Sequence, residues 1–561
     1  MKTRHLFLII SLVSLSLWTQ AQPSNPVYSQ NGMVVSAHPL ASQAGIEILQ
    51  KGGNAVDAAV AVQFALAVVY PNAGNIGGGG FMVYRSAEGK TATLDYREKA
   101  PGKANRDMYL DKDGNAITDK SLFGSLAAGV PGTVDGMFEA HKKFGKLSWK
   151  EVLEPAIRLA EKGFRLTDKQ VKELNENREY FLQYNQFQTA FTPQKPWQRG
   201  DILIQAELAN TLKLISVKGR DGFYKGKTAD FIVRQMKQSG GLISDTDLND
   251  YHSVWRDPIV GIYKGYKVIS MPPPSSGGIA LITLLKTLEK YPLQRWGYQQ
   301  DSTVQAIVEA ERRAYADRAE YLGDPDFVNV PQAALLDTNY IRRRMADIDF
   351  SRATPSSEIK NIPFPGHESD QTTHYCVVDK DHNAVSITTT LNGSYGSKVV
   401  VKGAGFLLNN EMDDFSVKPG VPNQYGLVGA EANAIQPGKR MLSSMTPTIL
   451  EKNGDLYMVV GTPGGSTIIT SVLQAILNHL EFGFNAQQSV SSPRFHHQWL
   501  PDEVQSEDGA IADDVRQRLA QKGYKIVRRN PYGRVEAIIV KDNGRLEGGA
   551  DPRGDDSVAG Y

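Results

Sequence analysis

The 561-residue sequence has one cysteine, no excess of charge of either sign, and no apolar run long enough to span a bilayer. Because Cys376 is alone, an intramolecular disulfide is excluded. The 62 Lys and Arg residues nearly equal the 61 Asp and Glu residues and are dispersed, which argues against a nucleic-acid partner. Hydrophobic residues make up 41% of the chain, so disordered and collagen-like classes are excluded and we expect stability to come from a large core.

Cys376 is the one residue that could act as a cysteine nucleophile. Its neighbours Tyr375, Val377 and Val378 are aromatic or β-branched, a composition typical of a buried strand. We therefore expect Cys376 to be a core residue without a catalytic role.

The first residues have the pattern of a signal peptide. Lys2 and Arg4 precede an apolar stretch from Leu6 to Trp18, and a small residue, Ala21, follows. The apolar stretch is interrupted by serines and is too short to cross about 30 Å of hydrocarbon, so a membrane anchor is disfavoured. We predict cleavage after Ala21 and export without lipidation, because no cysteine lies near the cut.

Two helices stand out in the pattern of apolar residues. Asn54 is a favourable N-cap, and the apolar run behind it continues to Tyr70 and stops at Pro71. The run is apolar almost all round, which predicts a helix buried in the core. A second helix is predicted from Ser471 to Phe482.

From Thr372 onward, short apolar runs alternate with turn sequences. The turns Asp379–Asn383, Asn453-Gly454 and Asn543-Gly544 separate such runs, as in β-hairpins. Hairpins indicate antiparallel sheets, and the helix between them indicates helices layered on those sheets. The predicted fold class is α+β. Before this region, the polar stretch 351–370 is predicted to be a linker or exposed loop.

Several segments resemble known binding motifs but lack the spacing or the residues that those motifs require. The glycine run 74–80 precedes a strand and lacks the spacing of a dinucleotide loop, and Gly464-Gly465-Ser466 lacks the lysine of a P-loop. The segment Asp111–Asn115 has its glycine at the wrong position for a calcium loop and is predicted to be a turn. His496-His497 lack the spacing of a zinc site.

The junction where the linker gives way to a strand, 370–375, contains Thr372 and Thr373. A threonine at such a junction is usually without function when considered alone. Here it is accompanied by groups suited to acyl transfer, including a glycine-rich segment that can bind an oxyanion through backbone amides. The accompanying segments are the hydroxyl-rich 386–393, the carboxylate-rich 411–414, the hydroxyl-rich 442–447 and the glycine-rich 461–466.

Motifs along nearly the whole mature chain resemble the γ-glutamyltranspeptidase family of N-terminal-nucleophile hydrolases. Each motif is weak alone, but their joint occurrence in family order is specific. The motifs are GGNAVDAA (52–59), GNIGGGGFM (74–82), DYREKAP (95–101), PGTVDG (131–136), PPPSSGG (272–278), QTTHY (371–375), LLNNEMDDF (407–415), GTPGGS (461–466), PRFHHQWLPDE (493–503) and DPR (551–553).

The resemblance implies a four-layer αββα sandwich of the N-terminal-nucleophile hydrolase type, with Thr372 at the start of a central strand. It also implies that the Thr372 hydroxyl attacks the Gln371 carbonyl, so that the precursor cuts itself after an N-to-O acyl shift and ester hydrolysis. The implied parts are a signal peptide 1–21, a large subunit 22–371 and a small catalytic subunit 372–561, the two subunits forming one intertwined heterodimer.

The implied activity is γ-glutamyl transfer together with glutathione hydrolysis. The α-amine released at Thr372, with an ordinary pKa of about 8, would serve as the general base for its own hydroxyl. A γ-glutamyl-Thr372 ester would then pass to water or to an amino acid or dipeptide acceptor. The expected partners are these small molecules, without cofactor, metal or membrane anchor, and the periplasm is favoured over the medium as the location.

The family's site residues correspond to positions in these motifs. Thr390 matches the second threonine that tunes the nucleophile, and Arg97 matches the arginine that binds the substrate α-carboxylate. Tyr425 matches the gating aromatic of a lid loop. The other matches are the ammonium-binding Asn392, Glu411 and Asp414, the carboxylate-binding Ser443 and Ser444, and the oxyanion-hole amides of Gly464 and Gly465.

Two alternative functions remain open at this point. An amide acylase of the cephalosporin type would use Thr372 identically but accept a glutaryl-like group without an α-ammonium, and the set Asn392, Glu411 and Asp414 argues against it. A noncatalytic, exported solute-binding protein would keep the fold without processing, which the intact Gln371-Thr372-Thr373 and Thr390 disfavour.

Overall fold

The computed structural model describes residues 25–359, 372–418 and 431–561. The predicted signal peptide, Gln371, Tyr425 and most of the predicted linker lie outside these residues. The described part mixes helices with antiparallel sheets, so the α+β prediction is confirmed. Within the described ranges, no helix is both long and apolar enough to cross a membrane.

The strands of the described residues are short and mostly belong to two large sheets. In chain order they are β1 Val27–Ser29, β2 Met33–Ser36, β3 Gly79–Arg85, β4 Thr91–Asp95, β5 Phe164–Arg165, β6 Ile202–Leu203, β7 Val254–Arg256, β8 Ile259–Tyr263, β9 Tyr266–Ser270, β10 Thr372–Val378, β11 Ala384–Thr390, β12 Thr448–Lys452, β13 Asp455–Gly461, β14 Phe495–His496, β15 Val504–Ser506, β16 Ile526–Arg528, β17 Glu536–Val540, β18 Leu546–Ala550 and β19 Ser557–Gly560.

The helices are concentrated in the first two thirds of the chain. They are α1 Pro39–Gln50, α2 Ala55–Val69, α3 Thr118–Leu122, α4 Thr133–Phe144, α5 Trp149–Lys162, α6 Asp168–Glu176, α7 Arg178–Tyr184, α8 Ala206–Lys218, α9 Asp221–Tyr224, α10 Lys227–Ser239, α11 Asp245–Asn249, α12 Gly277–Leu288, α13 Leu293–Trp296, α14 Asp301–Tyr321, α15 Gln332–Leu335, α16 Thr338–Arg344, α17 Thr467–Leu480, α18 Ala486–Ser491 and α19 Asp513–Gln521, with short 3-10 turns at Ser125–Ala127, Ser356–Glu358, Glu411–Asp414 and Glu431–Asn433.

Two seven-stranded antiparallel sheets form the centre of the described residues. The first sheet has the order β19-β2-β10-β11-β3-β4-β7, and the second has the order β1-β18-β17-β13-β12-β9-β8. Apolar side chains from both sheets, including Cys376, Val459 and Ile538, form one buried cluster, so the sheets pack face to face. Helices α1 and α2 contact the first sheet, and α12, α17 and α18 contact the second.

The predicted core helix is confirmed as α2. The Asn54 side chain accepts hydrogen bonds from the Val56 and Asp57 amides, and the Asp57 carboxylate accepts one from the Asn54 amide. Every residue of α2 is buried, as expected for a helix that is apolar all round. The second predicted helix is present but begins four residues earlier than Ser471, because the turn after Gly465 leads directly into α17 at Thr467.

The predicted hairpins are also confirmed. Asp379–Asn383 joins β10 to β11, Asn453-Gly454 joins β12 to β13, and Asn543-Gly544 lies between β17 and β18. Asn453 and Gly454 both have positive φ values, 55° and 91°, as a tight two-residue turn requires.

Cys376 lies in the middle of β10 and is fully buried, which confirms the expectation of a core residue. Its Sγ atom is 3.2 Å from His374 Nε2 and 3.6 Å from the Glu536 carbonyl oxygen. Burial raises the pKa of the Cys376 thiol well above its ordinary value, so the reactive thiolate is suppressed.

We predict that a thiol reagent leaves native Cys376 unmodified and labels one thiol per chain after denaturation. The reason is that both the access and the thiolate form are lost on burial. Thiol titration with and without denaturant measures this directly. Rapid, stoichiometric labelling of the native protein would show that the strand opens or that the assignment of Cys376 to the core is wrong.

Candidate active site

Thr372 is the first residue of β10 and lies opposite Thr390 of β11 in the antiparallel register. Its side chain is on the same strand face as His374 and Cys376, because side chains two apart share a face. That face packs against the second sheet. Thr372 is 8% exposed, so most of the residue is enclosed by protein.

The glycine run 74–80, which leads into the first residues of β3, permits close contact with the end of β11. A Cβ atom at Gly78 would lie 2.1 Å from the Thr390 carbonyl oxygen, and one at Gly80 would lie 2.5 Å from the Thr388 carbonyl oxygen. Larger residues are therefore excluded by backbone contact. Asn75 Nδ2 donates to the same Thr390 carbonyl at 2.9 Å, which further fixes the position of Thr390.

Thr390 is linked to the first of the predicted ammonium-binding residues. Its hydroxyl oxygen accepts a hydrogen bond from the Asn392 amide at 2.7 Å. Asn392 has a positive φ of 70°, a conformation that asparagine tolerates better than most residues, and its side chain donates to the Asn410 carbonyl at 2.9 Å. The chain therefore turns sharply after β11, and the Asn392 side chain contacts Asn410, the residue before the Glu411–Asp414 turn.

The glycine-rich segment after β13 approaches the same end of the first sheet. A Cβ atom at Gly461 would lie 2.2 Å from the His374 ring, so this close contact between the two sheets requires glycine. Gly464 and Gly465 have φ values of 133° and 57°, and the Thr467 amide and hydroxyl both donate to the Gly464 carbonyl. The segment is a tight turn that leads into the N-terminus of α17.

The His374 side chain lies between β10 and the Gly461 end of β13. Burial lowers the pKa of His374 to about 3, so the imidazole is neutral at ordinary pH. Its Nδ1 atom is 2.9 Å from the Thr388 hydroxyl. A neutral imidazole with one hydroxyl and one thiol partner supports the start of β10 without adding charge.

Arg97, which follows β4, is fully buried in a cluster of carboxylates. Its guanidinium donates to Glu411 Oε1 through Nη1 and to Asp414 Oδ2 through Nη2. The Glu98 carboxylate lies 3.6 Å from Nη1. Arg97 Nη2 also donates to the Leu442 carbonyl at 3.3 Å, which brings the arginine to the segment that precedes the two predicted serines.

The charges in this cluster shift one another's protonation. Burial by itself lowers the pKa of Arg97, but Glu411, Asp414 and Glu98 raise it above its ordinary value. Burial raises the pKa of Glu98 to about 8, although Arg97 opposes this shift. Burial also raises the pKa values of Glu411 and Asp414 against the same opposition from Arg97. A cation that binds in this pocket would stabilise the ionised forms of Glu98, Glu411 and Asp414 over their protonated forms.

Ser443 and Ser444 follow the carbonyl groups that accept hydrogen bonds from Arg97. The Ser443 amide donates to the Pro274 carbonyl at 3.0 Å, and Ser443 Oγ accepts from the Met445 amide at 3.1 Å. Ser444 Oγ accepts from Arg318 Nη2 at 2.9 Å. Both serine hydroxyls are therefore held in place by N–H donors.

The predicted site residues are brought together in three linked groups: Thr372 with Thr390 and Asn392, Arg97 with Glu411 and Asp414, and the Ser443-Ser444 segment beside Arg97. Gly461, three residues before Gly464, packs against His374 of β10. Gln371 and Tyr425 lie outside the described residues.

Two charged residues of this region were not singled out from the sequence. Glu98 follows Arg97 directly, and both of its carboxylate oxygens are buried without a hydrogen-bond partner among the described residues. Glu98 belongs to the DYREKAP motif beside Arg97, so its place in that motif is the sequence signal that points to it. Arg318 comes from a distant helix, and no local pattern marks it.

The calcium-loop-like segment and the histidine pair have ordinary hydrogen-bonding partners in the structure. The Asp111 carboxylate accepts from the Asp113 and Asn115 amides at 2.8 Å each, which makes a compact turn. His496 and His497 have different partners, Thr470 and Asp502 respectively. Among the described residues, no group of three or more His, Cys, Asp or Glu side chains is arranged to hold a metal ion.

A family model for γ-glutamyltranspeptidase matches residues 41–561. The chain belongs to the γ-glutamyltranspeptidase family. It is 49% identical over 540 residues to the glutathione hydrolase proenzyme of Escherichia coli (strain K12), covering 96% of this chain and 93% of the relative.

Two solved structures relate the fold to the same family and its neighbours. The cephalosporin acylase of Bacillus halodurans superposes with a TM-score of 0.85 at 28% identity, covering 98% of this chain and 99% of that one. The γ-glutamyltranspeptidase of Helicobacter pylori has a TM-score of 0.56 at 48% identity, covering 58% of this chain and 94% of that one.

Proposed function

We propose that this family member is a self-processing γ-glutamyltransferase that also hydrolyses glutathione and is exported to the periplasm. The observation that carries the proposal is the buried cluster in which Arg97 pairs with Glu411 and Asp414. The kinship with the Escherichia coli glutathione hydrolase proenzyme supports both the reaction and the maturation of a precursor.

The cluster is the charge complement of an α-amino-acid zwitterion. The substrate carboxylate can bind the Arg97 guanidinium in a bidentate arrangement. The substrate ammonium can bind Glu411, Asp414 and the Asn392 amide oxygen. This exchange keeps every buried charge paired, which matters because an unpaired buried charge is strongly unfavourable. A glutaryl group lacks the ammonium and would leave the two carboxylates without a cation.

Maturation would begin with attack of the Thr372 hydroxyl on the Gln371 carbonyl carbon. The acyl group moves from nitrogen to oxygen, and water then hydrolyses the resulting ester, which frees the Thr372 amine and a carboxylate at Gln371. A signal peptide 1–21, a large subunit 22–371 and a small subunit 372–561 would result. The Helicobacter pylori chain is matched almost in full by 58% of this chain, close to the share of the large subunit.

The two packed sheets with helices on both outer faces would form the four-layer αββα sandwich of N-terminal-nucleophile hydrolases. Thr372 begins a central strand of the first sheet, between β2 and β11. The cleavage would therefore free an N-terminus inside the fold rather than at its surface. Because β10 pairs with strands from both predicted subunits, the two chains would stay together after cleavage.

Acyl transfer would use the new N-terminus as its own base. The Thr372 amine accepts the proton of the Thr372 hydroxyl as this attacks the γ-carbonyl of the donor, and the leaving amine takes the proton. Thr390, opposite Thr372, orients the hydroxyl. The amides of Gly464 and Gly465 would stabilise the oxyanion, a contribution worth about 10²- to 10³-fold in rate per donor.

The resulting γ-glutamyl-Thr372 ester would pass to water or to an amino acid or dipeptide acceptor. Ser443 and Ser444 would assist Arg97 on the α-carboxylate throughout. Tyr425, the predicted gating aromatic of a lid loop, would limit access of water to the ester. The hydrolysis-to-transfer ratio would then depend on how this residue covers the site.

The proposal is tested by comparing a γ-glutamyl anilide with the matching glutaryl anilide on the purified, processed enzyme. We expect kcat/KM to favour the γ-glutamyl compound by at least about 100-fold, because the glutaryl compound leaves buried polar groups unpaired. Adding a dipeptide acceptor at saturating donor should raise the steady-state rate of aniline release, because the acceptor speeds breakdown of the acyl ester in the second half of a ping-pong mechanism.

Equal or better turnover of the glutaryl anilide would overturn the proposed donor and favour the acylase alternative. Binding of γ-glutamyl compounds without turnover, by a chain that remains uncut, would favour the solute-binding alternative.

A further inference from the structure

Arg318 joins a helix of the predicted large subunit to the pocket segment of the predicted small subunit. It lies in the last turn of α14 and is 4% exposed. Its Nε atom donates to Ser276 Oγ at 2.9 Å, and its Nη2 atom donates to Ser444 Oγ at 2.9 Å. The two donors of one rigid guanidinium therefore engage two hydroxyl groups at once.

Ser276, which accepts a hydrogen bond from Arg318, also contacts Ser443. The Ser276 amide and hydroxyl both donate to the Ser443 carbonyl oxygen, at 2.7 and 2.8 Å. The neighbouring Ser275 forms a bridge with Ser443. Arg318 thus holds Ser444 directly and Ser443 through Ser276.

The direction of these hydrogen bonds matters for substrate binding. An arginine can only donate, so Ser444 uses an oxygen lone pair for Arg318 and retains its hydroxyl proton for another acceptor. Ser443 Oγ likewise accepts from the Met445 amide and retains its proton. A carboxylate, which is acceptor-only when ionised, is the ligand group that fits two adjacent hydroxyl donors beside Arg97.

We propose that Arg318 is a positioning residue for the donor's α-carboxylate: it holds the Ser444 hydroxyl directly and the Ser443 backbone through Ser276, and it leaves both hydroxyl protons available to a carboxylate beside Arg97. The proposal rests on the donor site described under the proposed function. It adds a residue that does not touch the substrate and that spans the two predicted subunits.

Electrostatics support the same role. Burial raises the pKa of Asp414, and the positive charges of Arg97 and then Arg318 lower it. The carboxylates of Glu411 and Glu98 face the same cluster. Arg318 therefore favours the ionised form of Asp414, the form that an ammonium group binds.

The test uses the full, processed enzyme with Arg318→Met and Arg318→Lys, and Arg313→Lys as the matched control. Arg313 is a buried arginine of the same helix, but it bonds Glu309 and Asp347 rather than the pocket. We expect Arg318→Met to be processed normally and to raise the donor KM about 10- to 100-fold with kcat within about threefold. Arg318→Lys should fall between Arg318→Met and the unaltered enzyme, and Arg313→Lys should leave the KM unchanged.

A double-mutant cycle distinguishes positioning from general stabilisation. If Arg318 acts through Ser444, the Arg318→Met/Ser444→Ala double variant will have nearly the donor KM of the more impaired single variant, rather than the product of both effects. The acid limb of kcat/KM should also move to higher pH in Arg318→Met, because Asp414 loses a nearby positive charge.

The possible failures are distinguishable. If Ser443→Ala and Ser444→Ala leave the donor KM unchanged, the proposed carboxylate subsite is wrong. If those variants raise the KM while both Arg318 variants keep that of the unaltered enzyme, the subsite holds and the role of Arg318 is refuted. A lower melting temperature with unchanged KM and pH profile would show a merely structural residue.

Discussion

The Thr372→Ala variant is expected to remain a single chain and to lose γ-glutamyl transfer and hydrolysis by at least about 10⁴-fold. Without the hydroxyl, neither the attack on the Gln371 carbonyl nor the later acyl ester can form. Thr372→Ser, which keeps a hydroxyl and can release an amine, should still be cut. Intact mass under denaturing conditions measures the outcome for each variant.

For the unaltered protein, the two expected masses are roughly 38 and roughly 21 kDa, the shares of 61.6 kDa taken by 350 and 190 residues. Thr373→Ala is the matched control, since Thr373 is the next residue on β10 and its buried hydroxyl has no hydrogen-bond partner among the described residues. We expect this control to be cut. A Thr372→Ala protein that still appears as two chains would refute self-cleavage by Thr372.

Arg97→Lys is expected to be cut normally but to bind the γ-glutamyl donor poorly, with the donor KM raised about 100-fold. Lysine keeps the buried positive charge opposite Glu411 and Asp414, so the fold retains its charge balance. It cannot offer the planar, two-point contact that a carboxylate uses on arginine. Donor KM and kcat, measured on protein whose processing has been verified, separate binding from maturation.

Arg85→Lys provides the control for losing a buried guanidinium. Arg85 is also buried and ion-paired, with Glu451, but it stands at the opposite end of β3 from Gly79, the strand partner of Thr390. We expect its donor KM to match that of the unaltered enzyme. Donor affinity that survives in Arg97→Lys would refute the assignment of Arg97 to the α-carboxylate.

Elements with strong local signals were predicted well from the sequence. The helix α2 is predicted by the N-cap residue Asn54 and the apolar run behind it, and both signals lie within one continuous stretch of the chain. The hairpins at Asp379–Asn383 and Asn453-Gly454 follow from turn residues between apolar runs. The helix α17 begins four residues before the predicted start at Ser471, because its first turn directly follows a glycine turn whose sequence is typical of a loop.

The arrangement of charges could not be predicted in the same way. The sequence resemblance assigns Arg97 to a carboxylate and Glu411 and Asp414 to an ammonium, but it does not predict that these three side chains pair directly with one another. That pairing joins residues more than 300 positions apart. Long-range contacts of this kind depend on how the strands and loops pack, and no local periodicity encodes them.

The sequence by itself determined the family, the α+β class and the core character of α2 and Cys376, because each depends on neighbouring residues or on ordered motifs. The same motifs are the source of the proposal that Thr372 is the nucleophile. Only the tertiary structure decided the mutual neutralisation of Arg97 by Glu411 and Asp414, and the reach of Arg318 to Ser444. These contacts exist because the two sheets and their covering helices bring distant segments together, where burial makes each charge and each hydrogen bond depend on its partner.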